Sequence, residues 1–550
     1  MPSVTRLLVA LLPIASHTVA QGPRVEITVP AALRAAPTTG RMYVFVTRHD
    51  DVEPRLQVRH ESDCTPFFGV DVIQLAAGTP AVIDGATLGY PVQSLKDIPA
   101  GDYYVQGLLN VYTEFHRADG HTLWLHDDQW EGQQFNRAPV NLVSEVRRVH
   151  LDPARADTIR LALARALPPI ELPPDTKWVK HIKLQSKVLT AWWGHPMYLG
   201  ATVLLPRGYD TDTARRYPTV YEQGHFNLRP PFGFSTDSEV ESPAERAARL
   251  KRTAREPGFE FYNAWNSPGF PRLIAVTFQH PTPYFDDSYA VNSANNGPYG
   301  DALLQELVPY LEEHFRMIRA PWARVLTGGS TGGWEALALQ VYHPDFFRGT
   351  WVLYPDPVDF RSYEIPDIYS DTNAFVHPVA EWMSYDVPAE VEVDGQVRIS
   401  VRQESQYEAV LGSHARSGEQ FAIWEATYGP VGSGGYPAEL WDLGTGKIDH
   451  AVAQYFKDHD YDLRDYLERN WATLGPQLKG QLHVFVGDMD TFYLNLAVYR
   501  LEDFLKGARP AYGGEVVYGR PMKPHGWQPW TNAELMRIMA RHIAAQRPRP

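Results

Sequence analysis

Arg324-Val325-Leu326-Thr327-Gly328-Gly329-Ser330-Thr331-Gly332-Gly333-Trp334-Glu335-Ala336-Leu337-Ala338-Leu339 reads as three consecutive elements. The run 324–327 predicts a strand and 334–339 a helix, and between them lies a G-x-S-x-G pentapeptide. Glycines are needed on both sides of the serine because a turn this tight presses its backbone against the neighbouring strand and helix. Without its flanks the pentapeptide is a glycine-rich turn. With strand before it and helix after it, it predicts an exposed nucleophile at Ser330.

Strands alternate with helices around this stretch. Val203-Leu204-Leu205-Pro206, Pro218-Thr219-Val220-Tyr221 and Leu273-Ile274-Ala275-Val276 precede it, and His483-Val484-Phe485-Val486 follows much later. Leu304, Leu307, Val308, Leu311 and Phe315 share one helical face, with Glu306, Glu312 and Glu313 directed elsewhere. A helix carrying Leu494, Val498, Leu501 and Leu505 comes after 486, and Thr531 with Glu534 forms a capping box that opens the last helix. Such alternation predicts a largely parallel sheet with helices on both faces. From 356 to 480 it breaks, which predicts an inserted cap over one end of the sheet. Residues 21–167 read as a small, mainly-β, sandwich-like domain with strands at 41–46 and 103–109. The prolines at 168, 169, 173 and 174 mark a linker over 168–176, before the α/β domain at 177–550.

A serine hydroxyl needs a base, and the base needs an acid to orient it. His343, His377, His414, His450, His459 and His483 all follow Ser330, but His525 is the best placed, in a loop between the short strand 515–518 and the last helix. His542, inside that helix, reads as a surface residue. The acid belongs after the strand 483–486, where Gly487-Asp488-Met489-Asp490 offers two carboxylates; Asp490 is the first choice and Asp488 the second. An oxyanion hole takes one amide from Thr331 and another from His225 or Phe226, in the loop after 217–222. Trp334, Trp424 and Trp527 are candidate pocket walls, with Trp334 either there or packed beneath the nucleophile helix, and Tyr428 and Trp441 either alongside them or in the core of the insertion.

The segments Leu205-Pro206-Arg207-Gly208-Tyr209-Asp210, Tyr217-Pro218-Thr219-Val220, Gly224-His225 and 328–334, with His343-Pro344-Asp345-Phe346-Phe347, resemble the putative-esterase group of α/β hydrolases. That group includes feruloyl and acetyl-xylan esterases, S-formylglutathione hydrolases and enterochelin-type esterases. The resemblance covers about 177–350 and 480–546 and omits the insertion. The group's His-Gly order is reversed here at Gly224-His225. An α/β-hydrolase domain with a long cap insertion is the fold this implies, and an ester of carbohydrate or a phenolic acid is the substrate class. No cofactor is expected.

Composition narrows the partners. A net charge of −14 repels phosphate backbones and anionic lipid, which argues against nucleic-acid or membrane partners. Arg6, the apolar run Leu7–Ile14 and Thr18-Val19-Ala20 form a cleavable export signal over 1–20, so the expected location is secreted or periplasmic. The single cysteine, Cys64, can form no internal disulfide and reads as a buried small residue. His116, His121, His126, Asp127 and Asp128 fit no zinc spacing and read as a solvated loop. Asp458, Asp460, Asp462 and Glu468 lack the glycine of a calcium-binding loop. The expected activity is an exported serine esterase. Rival readings are a siderophore-ester hydrolase, an acyltransferase, a prolyl-oligopeptidase-like peptidase, and a catalytically silent carbohydrate-binding protein.

Overall fold

The computed structural model describes residues 22–60, 64–238 and 241–548, so the predicted signal at 1–20 lies outside the described residues. Eight strands build the central sheet: β1 (Val179–Ser186), β2 (Met197–Leu204), β3 (Thr219–Gln223), β4 (Ile274–Gln279), β5 (Arg324–Ser330), β6 (Thr350–Pro355), β7 (Leu482–Gly487) and β8 (Glu515–Gly519). Their order across the sheet is 1-2-4-3-5-6-7-8. β2 runs antiparallel to β1 and β4, and the pairings from β4 to β8 are parallel. β4 and β6 are buried along their whole length, which is why they read as unbroken apolar runs instead of alternating ones.

Helix α1 (Thr331–Tyr342) packs on β5 and β6 and is buried from Thr331 to Val341. The helical face read at 304–315 lies along residues 299–314 with Phe315 as the C-cap, and Leu303–Leu307 is wound as a π-helix. Glu312, expected to point away from the core, is instead buried and accepts from Arg324 Nε at 2.6 Å. Arg324 carries a charge into the start of β5, and a charge buried there needs a partner.

Ten strands between Arg24 and Ala166 form a second hydrogen-bonded network with its own core around Ile27, Val44, Val105 and Leu161. The 16-residue strand Gly101–His116 pairs with 38–47, 122–126, 142–144 and 147–151. His126 does not belong to a solvated loop. It ends a strand, is 5% exposed, and bonds Asn110 at 2.8 Å and Glu131 at 2.6 Å, as a buried polar ring must. Cys64 is buried in this domain. Among the described residues no helix is long and apolar enough to cross a membrane.

The insertion contains two hairpins within 376–400, then α2 (Val401–Leu411), α3 (Gln420–Tyr428) and α4 (His450–Asp458). α5 (Leu463–Leu478) packs on α1 and on α6 (Asn495–Gly507), so it belongs to the helical layer of the sheet. The acids at 458–468 are used by this helix: Asp462 caps it, and Asp460 and Glu468 pair with Arg469 and Arg464. α7 (Asn532–Gln546) closes the chain behind its Thr531–Glu534 capping box.

The insertion is fastened to the β domain at the end of α2, whose last carbonyls have no acceptor-satisfying partner within the helix. Arg41 Nε donates to Val410 O at 2.8 Å, Arg41 Nη2 to Ala409 O at 2.9 Å, and the Tyr43 hydroxyl to Leu411 O. A cation at a helix C-terminus also complements the helix dipole. Asp71 holds Arg41 and Arg416, each at 2.8 Å. Tyr407 on α2 packs edge-on against Phe67 and Tyr90, with ring centroids 5.9 and 5.3 Å apart. Arg41→Ala strips Ala409 O and Val410 O of their side-chain donors and leaves Asp71 one arginine, an expected loss of about 3 kcal/mol. Thermal melts should show a lowered midpoint and limited proteolysis should speed up within 376–450; an unchanged midpoint would mean the clasp carries no stability.

Candidate active site

β5 delivers Ser330 into α1 with φ 61° and ψ −127°, a conformation that side-chain-bearing residues rarely adopt and that costs on the order of 1–3 kcal/mol. Close packing around the turn requires it. A Cβ on Gly328 would lie 2.1 Å from Gly332 O, and one on Gly332 would lie 2.1 Å from Gln223 O at the end of β3. The strained turn lifts Ser330 out of the sheet and onto the wall of a cavity of about 610 Å³.

His525 lines the same cavity, in the loop after β8. Its Nδ1 donates to Asp490 Oδ2 at 2.9 Å, and Asp490 is 1% exposed. That bond leaves Nε2 as the basic atom. Tyr354 and Phe492 pack edge-on against the imidazole, with centroids 4.7 and 4.9 Å away, and so fix its plane. Asp488 does not reach the histidine. Its Oδ1 accepts from Lys523 N at 3.0 Å and Met489 N donates to Lys523 O at 3.0 Å, so this pair of bonds latches the acid loop to the histidine loop. His542 is not a surface residue: it is half-buried, with Nε2 3.0 Å from Arg348 O and its ring edge-on to Trp351. Arg348 and Gln481 precede β6 and β7, so His542 sits at the end of the sheet opposite Ser330.

Ser330 Oγ donates to Asp356 Oδ1 at 3.3 Å, a contact the sequence did not suggest. Asp356 follows β6 directly and is 3% exposed. Its other oxygen accepts from Tyr289 OH at 2.5 Å, Thr331 Oγ1 at 3.0 Å and Gln420 Nε2 at 3.1 Å. Trp424 Nε1 donates in turn to the Tyr289 hydroxyl at 2.6 Å. Burial pushes the Asp356 carboxyl upward, and the Tyr289 bond opposes it. Tyr354-Pro355-Asp356-Pro357 looks like an ordinary turn in the sequence; only the strand end before Asp356 could have flagged it.

Thr331 heads α1, where the first amides lack intrahelical acceptors. The His225 side chain lines the cavity, with Nδ1 3.1 Å from Asp286 Oδ1 and 3.5 Å from Asp287 Oδ2. Phe226 turns away and packs edge-on against Trp130 of the β domain. His225, Asp286 and Asp287 gather ligand-type atoms within 4.8 Å, as do His280, Asp287 and Glu335. In the second group Ser288 N donates to His280 Nδ1 at 3.0 Å, which places the ring proton on Nε2, 3.7 Å from Glu335. That proton occupies the lone pair a metal would need, and in the first group the imidazole already pairs with the carboxylates.

Of the three tryptophans expected at the pocket, Trp424 lines the cavity. Trp334 is fully buried between Tyr289 and Tyr428, because the α1 face that carries it points into the core. Trp527 packs over Gly519 at the end of β8. Tyr428 and Trp441 are buried in the core as well. The remaining walls come from the β domain at 132–136 and from a series of acids on the insertion, Glu364, Glu390, Glu404, Glu408 and Glu419. Burial, reinforced by the charge of Glu408, pushes Glu404 and Glu419 up to about 8, and burial raises Glu408 itself to about 7.

The strand order and the strained serine between β5 and α1 define an α/β hydrolase. Residues 198–354, from β2 through Ser330 into β6, match the family described as "Putative esterase". Asp490 and His525 lie beyond that match. Among solved structures the chain is similar to a ferulic acid esterase, at 15% identity over 67% of this chain and 98% of that one, with a TM-score of 0.33. An S-formylglutathione hydrolase from Agrobacterium tumefaciens is similar at 11% identity over 68% and 96%, with a TM-score of 0.31. AmCE1/Fae1A, a CE1 ferulic acid esterase from Anaeromyces mucronatus, is similar at 14% over 68% and 88%, with a TM-score of 0.27. No curated protein sequence matches the chain.

The raised glutamates make stability depend on pH in a definite direction. They bind protons more tightly folded than unfolded, so their contribution is complete below about pH 4.5 and is lost as pH rises through 7 to 8. Against the cost of burial, arginine partners hold Glu53 and Asp119 down at about 2, so these two act in the opposite sense and only below the ordinary carboxylate range. Melting midpoints should therefore fall between pH 5 and pH 8, and Glu404→Gln should flatten the fall. A midpoint that is level or rises over that window would show that these carboxyls ionise at little cost.

Proposed function

We propose that the protein is an exported serine esterase that hydrolyses carboxylic esters through an acyl-enzyme on Ser330. One observation carries this reading: a serine held in a strained turn and a histidine already paired to a buried aspartate open into the same cavity. Ser330 Oγ attacks the ester carbonyl as its proton passes to His525 Nε2, and the alcohol leaves with that proton. Asp490 keeps the imidazole in the required tautomer and supports its positive charge. The Thr331 amide, with an amide from the His225–Phe226 loop, receives the oxyanion. Water, deprotonated by His525, then releases the acid.

The Ser330 hydroxyl rests on Asp356; catalytic hydrogen bonds commonly align only when substrate is bound. Carbohydrate or phenolic esters are the substrate class implied by the resemblance at 205–210 and 328–334. The acidic cavity wall weighs against an anionic ferric-catecholate ester.

A fluorophosphonate probe should label the wild type, which should also turn over p-nitrophenyl acetate or methyl ferulate. Ser330→Ala should abolish labelling and lower turnover about 10⁴-fold or more. Asp490→Asn should lower kcat about 10³- to 10⁴-fold, whereas Asp488→Asn, which alters only the loop latch, should cost about tenfold or less. Equal losses in the two aspartate variants would remove Asp490 from its role, and an unlabelled, folded wild type would overturn the esterase reading. Export predicts a mature N-terminus at Gln21, read by N-terminal sequencing of secreted protein.

A further inference from the structure

The insertion presents the cavity with carboxylates that the esterase chemistry does not use. Glu408 accepts from Phe421 N, Ala422 N and Ser417 Oγ at 2.7, 3.0 and 2.8 Å, so it is a structural cap of α3. Glu390 faces His60 at 2.6 Å and Arg398 at 3.5 Å. Glu419 accepts only the Tyr407 hydroxyl at 3.3 Å. Glu364 is 4% exposed, lines the cavity, and has no hydrogen-bond or ion-pair partner among the described residues. Glu404 Oε2 is buried and likewise unpartnered. Burial raises the Glu364 carboxyl, and the like charges of Glu404, Glu390, Asp356 and Asp490 raise it further.

Carboxyls left without donors in a closed space are costly, and gathering several compounds the cost by like-charge repulsion. A ligand that brings N–H donors and positive charge removes both penalties. No lysine or arginine lines the cavity to do so. Among the described residues, no three of these glutamates bring ligand oxygens within 4.8 Å of one another, which suits an organic cation with several donors better than a bare metal ion. Trp424 and Tyr407 also line the cavity. A cavity of about 610 Å³ has room for an ester and an extended side chain.

We propose that Glu364, with Glu404 and Glu419, forms a subsite for a protonated amine or guanidinium group carried by the ester substrate. This rests on the esterase reading and names a substrate class for it.

The test compares p-nitrophenyl 6-aminohexanoate with p-nitrophenyl heptanoate, which has nearly the same length and no charge. At about pH 9, where Glu404 and Glu419 have lost their protons and the substrate amine still keeps its own, the full-length wild type should favour the amine by about tenfold or more in kcat/KM, and that ratio should collapse toward one in both Glu364→Gln and Glu404→Gln. Turnover of the heptanoate without preference for the amine overturns the subsite and leaves the esterase reading standing. If neither ester turns over and the fluorophosphonate fails to label, the esterase reading fails and calorimetry with agmatine decides the subsite alone. Agmatine should bind the wild type about tenfold more tightly than it binds Glu364→Gln. Equal binding by the two proteins, or binding of neutral xylobiose in place of agmatine, overturns the proposal.

Discussion

At Ser330 the backbone takes φ 61° and ψ −127°, and much of the site is arranged so that a non-glycine residue stays there. The turn survives because Gly328 and Gly332 let β3, β5 and α1 approach to distances that exclude a side chain. Strain of this kind persists only where the surroundings over-determine it, and fully buried strands with a buried helix behind them provide that rigidity. The parallel arrangement then brings the loops after β3, β6, β7 and β8 to the same end of the sheet as the serine. His225, Asp356, Asp490 and His525 are placed by that one geometric consequence.

The site is nevertheless not the property of the sheet domain alone. Asp356 joins Ser330 and Thr331 at the elbow to Tyr289 and to Gln420 of the insertion, so the insertion is hydrogen-bonded to the nucleophile turn. At its other side the insertion is held by Arg41 and Tyr43 of the β domain, which complete the end of α2. The cavity is therefore composite: the sheet domain supplies Ser330 and His525, the insertion the acids, and the β domain a wall at 132–136. A β domain attached in this way shapes the substrate site whether or not it also binds anything on its own account.

Much of the fold was legible because its signals are local. The glycine spacing around Ser330, the flanking strand and helix, and the apolar runs of β3, β4 and β7 all depend on residues within a few positions of one another. The choice between Asp488 and Asp490 was harder, since both follow β7 and both are carboxylates. What separates them is reach: one accepts from the Lys523 amide and the other from the imidazole of His525. Glu312 and His126 were misjudged for a related reason. A charge or ring that looks exposed in a sequence is buried when another element supplies its partner, as Arg324 does for Glu312 and Asn110 for His126.

The sequence by itself determined the sheet-and-helix alternation, the nucleophile turn and the small set of histidines and aspartates able to serve it, because these follow from backbone sterics and short-range apolar pattern. Tertiary structure decided which aspartate meets His525, that Ser330 rests on Asp356, and that an acidic wall from residues 364–419 faces the nucleophile. Those relations join residues tens of positions apart. Their energies come from burial and charge proximity, quantities that exist only once the chain has closed around the cavity.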